Sequence, residues 1–542
     1  MGKKNLIITI VCEQGYVRNI ENKDAHAEEN ILLFDAISQT YLPLLNLINN
    51  FDKRGFDAKI ALVLSPQLCA LLNDGEMQKR YVEYLDSKIL LGQKELERNK
   101  NNESLLKLIN SYIEKAKKDK EDFTELYECH LIQAFDRAAK SGFIELLATS
   151  ATYSYLPHYA DLTEALNAQI ETGLRSQRYF FGEMAEGFYL PHLGYSNGLD
   201  KVLRSYGVNY TIADARSFLF SNDKVENGIF SPLRTENSLV LFARDPDCPE
   251  EIIADANNSL NGEDGYALKD IYRCERRDIG FDLNLEELKP LVGKDDSRIP
   301  TGFKYWSNEE DESFENDDGP FYDQEAAFEE AKKDARDFYA KKEEKLLKAE
   351  ELLKGQDVNL LLTIPSELLG QKWHEGFTFF EEFMNLCHAS KKINLTLPKE
   401  LLQNQFTLPK FTPYPCSAGG HGYGEDLLDD KNKWMFRYVR KATERMIDLT
   451  ERFPAESGLK ERLLNLAAKE VLLAQSSDWP LMLTKNQLPE YAEEMFTKNI
   501  ISFTNVFSAL ASNTVSTEWL TKLEKEHDLF PWINYKIFSR KK

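Results

Sequence analysis

The hydrophobic positions of this chain fall into two kinds of run. Short continuous apolar stretches, several rich in β-branched residues, occupy residues 6–11, 60–64, 143–148, 188–190, 210–213, 239–242 and 358–364. A strand with one wet face alternates apolar and polar residues, and these runs do not alternate, so they suit strands buried on both faces of a parallel sheet. Between them lie longer segments with apolar residues at helical spacing, such as 27–49 and 162–179. Seven strands alternating with helices predict an α/β fold, a (β/α)7 barrel.

Two charged segments interrupt that plan. Residues 73–125 carry Leu90, Leu91, Leu96, Leu105, Leu108, Ile109 and Ile113 at helical spacing on a Lys/Glu background, which predicts an inserted helical pair. Residues 245–318 are rich in Asp, Asn and Gly and read as a long excursion with little regular structure. An amphipathic helix over 328–353, with Phe328, Ala331, Ala335, Phe338, Leu346 and Leu353 on one face, leads back to the last strand. Its charge run reads as a solvated face. Beyond Asp426 only helices are predicted, at 434–451, 459–474, 491–511 and 519–526. The expected division is a barrel over 1–400 with both insertions, then an all-helical C-terminal domain over 401–542.

Composition narrows the ligand. The 542 residues are 42% apolar, enough for a large core, and carry 67 Lys and Arg against 89 Asp and Glu, a formal charge of -22. Phosphate-driven nucleic-acid binding needs clustered cations, so that class is disfavoured and a neutral ligand fits better. Seven cysteines without a CxxC pair suggest neither a zinc site nor a disulfide framework and fit a reducing, cytoplasmic compartment. The apolar run near the N-terminus ends at Glu13 without a small-residue cleavage site, so it reads as a first strand. No stretch is expected to be long enough to cross a membrane. No HxH, HExxH, GxGxxG or P-loop spacing occurs, so neither metal nor nucleotide nor other cofactor is expected.

In such barrels chemistry sits on the loops after the C-terminal strand ends. Here those loops hold 13–18, 149–155, 192–195, 214–216, 244–245 and 365–375. Tyr16, Tyr153, Tyr155, Tyr189, Tyr195 and Trp373 recur among them. Aromatic faces beside polar groups suit a sugar, and each ring taken singly also suits a core.

The segment Gly187-Phe188-Tyr189-Leu190-Pro191-His192-Leu193-Gly194-Tyr195 resembles the nucleophile segment of glycoside hydrolase family 57, whose usual form is G-[IF]-W-L-P-E-C-[AG]-Y. Tyr16-Val17-Arg18 resembles the family's YVR, residues 151–157 its ATHGYLP, and residues 367–376 the E-L-F-G-H-W-W-[YF]-E-G part of its second catalytic motif. Residues 475–479 read QSSDW, as in the family, and Arg244-Asp245-Pro246, Arg277-Asp278-Ile279-Gly280 and Thr301-Gly302-Phe303-Lys304-Tyr305 are similar to further family segments. The likeness spans nearly the whole chain and is nearest to the 1,4-α-glucan branching enzyme and α-amylase-like branch. It implies a (β/α)7 barrel with a helical C-terminal domain, no metal and an α-glucan or maltooligosaccharide ligand, with Tyr16, Arg18, Tyr153, Tyr189, Trp373, Asp478 and Trp479 as candidate substrate-binding residues.

The resemblance fails at the reacting centre. The nucleophile Glu of the motif falls on His192 and the acid/base Asp on Pro365, which has no ionisable group. A retaining glycosidase needs two carboxyl groups about 5 to 5.5 Å apart, so the usual chemistry is not expected. Family histidines fall on Val11, Glu13, Tyr153 and Gln371, and a loop tryptophan on Ala418. His192 either fills the old nucleophile volume or hydrogen-bonds a ligand hydroxyl. Glu13, Asp214, Glu367 and Asp478 are the carboxylates that could take over. Three readings follow: a non-catalytic relative that binds α-glucan or a partner enzyme, an active glucan-modifying enzyme with relocated carboxylates, and an interaction protein with a closed pocket.

Overall fold

The computed structural model describes residues 2–20, 27–256, 262–274, 277–288, 298–308, 320–512 and 516–540. Each of the seven apolar runs becomes a strand: β1 Lys4–Cys12, β2 Ile60–Leu64, β3 Ile144–Leu147, β4 Gly187–Tyr189, β5 Tyr210–Ala213, β6 Val240–Ala243 and β7 Val358–Pro365. All neighbours run parallel. β1 sits between β2 and β7, with Ile8 opposite Ile60 on one side and Leu362 on the other. β2 pairs with β3, β4 with β5 and β5 with β6. Two bridges close the ring. Ala148 at the end of β3 exchanges bonds with β4 (Ala148 N to Gly187 O 3.1 Å, Tyr189 N to Ala148 O 2.7 Å), and Asp245 N after β6 donates to Leu361 O at 2.6 Å. The result is a (β/α)7 barrel.

The absence of alternation in the sequence has a direct cause. Ile7, Val11, Ala61, Val63, Leu147, Ile212, Phe242 and Leu361 fill the barrel interior. Leu6, Ile8, Ile10, Leu62, Leu64, Leu360 and Leu362 join the surrounding helices in the largest core. At Gly187 a Cβ would stand 2.3 Å from the Tyr210 ring, so the missing side chain admits a buried phenol to the interior. Tyr210 donates to Glu145 at 2.7 Å, and the Lys399 amide donates to the same carboxyl at 3.2 Å. This closes the N-terminal end of the barrel under residues 397–402.

The insertion at 73–125 forms the expected pair, Gly75–Arg98 and Glu103–Glu121, capped by the side chains of Asp74 and Asn102. Described parts of 245–318 hold short helical turns, such as Cys248–Ile253 and Tyr266–Lys269, and isolated bridges, such as Cys274 with Ser307. One expectation holds in part and another needs correction. The helix Gln324–Leu352 keeps most of its charge run in water, Lys333, Arg336, Lys341 and Lys348 among it, but turns part of it inward: Lys342 is almost fully buried and binds Asp245 at 2.7 Å and also Glu251, while Lys345 binds Asp245 at 2.5 Å and Asp247 at 2.6 Å. The segment after β6 buries Asp245, and a buried carboxylate requires cations nearby. A stretch long and apolar enough to cross a membrane also exists, the helical run Glu28–Lys53. Within the protein 72% of its most apolar window is buried, with Leu33, Phe34, Leu44 and Ile48 in the core, which accounts for its composition.

Past the barrel, residues 414–418 lie across its C-terminal end. Tyr195 N donates to Cys416 O and Ala418 N to His192 O, both at 2.8 Å. Helices Lys433–Arg452, Leu459–Ala474, Asp478–Thr484, Pro489–Ser512 and Thr517–Glu526 complete the chain. The turn between the second and third of these is bonded into the barrel loops. Gln169 Nε2 donates to Gln475 Oε1 at 2.8 Å, and Tyr155 N to Ser477 Oγ at 2.9 Å.

Candidate active site

β4 delivers His192 to the barrel mouth through the single turn Pro191–Leu193. Pro191 presets its own φ, and His192 and Leu193 follow at φ 55° and 51°. Left-handed backbone is costly for residues with a Cβ and concentrates at functional sites. Tyr153, on the loop after β3, is left-handed as well at φ 47°. Its ring meets that of His192 edge to face, with centroids 5.2 Å apart. The His192 Nε2 is shut off from solvent and has no hydrogen-bond partner. Burial, with the charge of Lys485 and the ring of His158 nearby, holds the imidazole neutral by pushing its pKa down to about 3.

β1 delivers Glu13, two residues beyond Val11, which pairs with Pro365 of β7. Glu13 and Asp478 are hydrogen-bonded to each other. Burial first, then the neighbouring carboxylates of Asp478 and Glu367, push the Glu13 carboxyl well above the usual range, and Asp478 is raised by burial as well. Two like charges in contact cannot both be kept out of water, so the pair holds a proton. Asp478 further accepts from Ser476 Oγ at 2.5 Å, which in turn accepts from Gln67 Nε2 at 3.4 Å. The other carboxyl oxygen of Glu13, Oε1, is buried without a partner.

The remaining sequence candidates lie elsewhere. Asp214 caps the helix Ala215–Leu219 and binds Arg244 at 2.8 Å in a buried pair. Glu367 is held by Lys372 at the rim. Arg18 is a clamp: it binds Asp74 at 2.7 Å and donates to Lys525 O at 2.7 Å and Glu526 O at 2.9 Å. It thereby ties the loop after β1 to the insertion and to the last helix. Trp373 and Trp479 are 2% and 0% exposed; Trp373 packs on Phe379 at 4.9 Å, and Trp479 donates to Leu473 O at 2.8 Å. Tyr16 is buried, and Tyr189 lies in the barrel interior under Tyr153, hydrogen-bonded to it. Of the predicted residues the structure brings together Glu13, Asp478, Tyr153, Tyr189 and His192, with Pro365 on the strand end beside Glu13. Sequence reasoning missed Lys485, whose charge bears on Glu13, Asp478 and His192. Its only signal is its place at the end of the short helix that Asp478 begins. Among the described residues no group of three His, Cys, Asp or Glu side chains is placed to hold a metal ion.

Residues 14–415 match glycosyl hydrolase family 57, and residues 438–538 match the 1,4-alpha-glucan branching enzyme C-terminal domain. The chain belongs to glycosyl hydrolase family 57. The 1,4-alpha-glucan branching enzyme TK1436 of Thermococcus kodakarensis is 23% identical over 511 residues, 89% of this chain and 70% of that protein. The crystal structure of the alpha-amylase AmyC from Thermotoga maritima superposes with a TM-score of 0.89 at 29% identity, covering 100% of both chains. That of the family 57 branching enzyme from Pyrococcus horikoshii gives 0.83 at 21% identity, covering 99% of this chain and 97% of the other.

Proposed function

We propose that this family 57 member binds α-glucan at its barrel mouth without turning it over by the usual carboxylate pair. The observation that carries the reading is His192, a neutral imidazole with an unpartnered Nε2 on the turn after β4, where the motif resemblance implies a nucleophile. A neutral ring can bond a sugar hydroxyl, and it cannot supply the carboxylate that forms a glycosyl ester. Pro365 removes the second group, because it has no proton to give. The glucan assignment is supported by relatives named as α-glucan branching enzymes and an α-amylase. A partner enzyme held on the same scaffold is compatible with this reading.

One observation favours a second reading, an active enzyme with relocated carboxylates: Glu13 and Asp478 share a proton at the mouth. Such a pair could protonate a glycosidic oxygen. Because its two carboxyls are bonded to each other, they act as one proton-holding unit and not as an acid and a nucleophile flanking a sugar at about 5 to 5.5 Å. Calorimetry with maltooligosaccharides tests the proposal. Binding that weakens about tenfold in His192→Ala, the loss of one hydrogen bond to a buried polar group, is expected. No heat of binding for any chain length would overturn it and leave a closed interaction protein.

A further inference from the structure

A second cavity lies away from the mouth, between the helix pair of the insertion, the first barrel helices and the loop after β7. It encloses about 70 Å³, and its wall includes Lys88, Lys115, Lys304, Lys372, Asp119 and His374. Neither Glu13, His192, Pro365 nor Asp478 borders it. Four lysines lining one small cavity contrast with the acidic excess of the whole chain, 89 against 67.

Three of the four lysines reach a carboxylate. Lys115 binds Asp119, Lys372 binds Glu367, and Lys88 stands 4.0 Å from Asp35. Lys304 makes no ion pair among the described residues. Asp278 fixes its position, accepting from Gly280 N, Thr301 N, Thr301 Oγ1 and Gly302 N and so locking the turn that leads into Lys304. At Gly302, with φ 80°, a Cβ would stand 2.3 Å from the Lys88 Nζ, so glycine both makes this turn and leaves room for the ammonium. The sequence concurs: where the family pattern has His-Trp, this chain has Gln371-Lys372, and both line the cavity.

Size selects the ligand. A water needs about 10–15 Å³ of such space, so the cavity holds on the order of five waters or one tetrahedral oxyanion. Lysine is a common point-charge partner of phosphoryl oxygens. We propose that this cavity is a phosphoryl-binding site, filled by free phosphate or by the phosphate of a sugar phosphate. Filling it draws Lys372 toward the anion and away from Glu367, whose charge bears on Glu13 at the mouth. The site stands independently of glucan binding, which is measured at His192.

Titration calorimetry of the full chain with inorganic phosphate, glucose 1-phosphate and glucose tests this. Phosphate and glucose 1-phosphate are expected to bind and glucose to give no heat at this site. Lys304→Gln and, as a second variant, Lys88→Gln should each weaken the phosphate by tenfold or more while maltooligosaccharide binding is unchanged. Glucose 1-phosphate binding at least tenfold tighter than phosphate identifies a sugar phosphate as the occupant, and equal affinities identify free phosphate. Absence of binding by both anions, or wild-type affinity in both variants, would overturn the proposal.

Discussion

Charged groups around the barrel and charged groups at its mouth follow opposite rules. Around the barrel, Arg18 meets Asp74, Arg244 meets Asp214 and Lys342 meets Asp245, each a buried cation against a buried anion. At the mouth, Glu13 is bonded to another acid, and Glu13 Oε1 and His192 Nε2 have no partner. An unpaired buried polar group costs about 1–3 kcal/mol, so a fold keeps such groups only where something else repays them. Unpartnered buried atoms also occur away from the mouth, at Glu375 Oε2, Glu470 Oε2 and Trp373 Nε1, so what sets the mouth apart is an acid bonded to an acid where the scaffold pairs cation with anion.

Substitutions sharpen that contrast, and the largest effect is expected in the scaffold. Trp373→Ala removes a fully buried ring and should cost about 3–5 kcal/mol in urea unfolding, with glucan affinity of the folded fraction unchanged. A loss of affinity without a loss of stability would move Trp373 into the site. Arg18→Ala should cost about 3 kcal/mol, because it breaks a buried pair and frees two carbonyls that join the last helix to the barrel. Gly187→Ala forces a methyl toward the Tyr210 ring and should cost about 1–3 kcal/mol.

The mouth is expected to show itself through pH and not through the size of its effect at neutrality. Glu13 is raised in the folded state, so its contribution is full below about pH 4.5 and is lost as pH rises through the folded value. Unfolding midpoints of Glu13→Gln measured against pH should therefore lack a decline that the wild type shows above pH 4.5. His192 has the opposite sign. Depressed to about 3, it contributes stability above its unfolded value of 6.5 that is lost as pH falls toward 3. In nuclear magnetic resonance its ring protons should keep their neutral shifts at pH 5; a transition near 6.5 would mean an exposed ring.

How much of this was legible in the chain depends on the range of the interactions. The seven strands could be read because burial on both faces leaves a local signature, and the insertion because helical spacing is local too. The solvated reading of 328–353 held for most of its charges and missed the buried Lys342, because the partner of Lys342 is Asp245, 97 positions away. Arg18 looked like a ligand-binding residue for the same reason: it reaches Asp74 and the carbonyls of Lys525 and Glu526, 507 and 508 positions on. The place of His192 on the turn after β4 was legible because the motif and the strand are both local. The proton shared by Glu13 and Asp478 was not, since only the fold carries the QSSDW turn to the end of β1.

The central claim is that this mouth holds a sugar without the pair that cleaves it. The most direct measurement is incubation of the purified chain with amylose, followed by assay of reducing ends and of new branch points. The account predicts both at background, in wild type and in Glu13→Gln alike. Turnover in the wild type that Glu13→Gln or His192→Ala abolishes would contradict it.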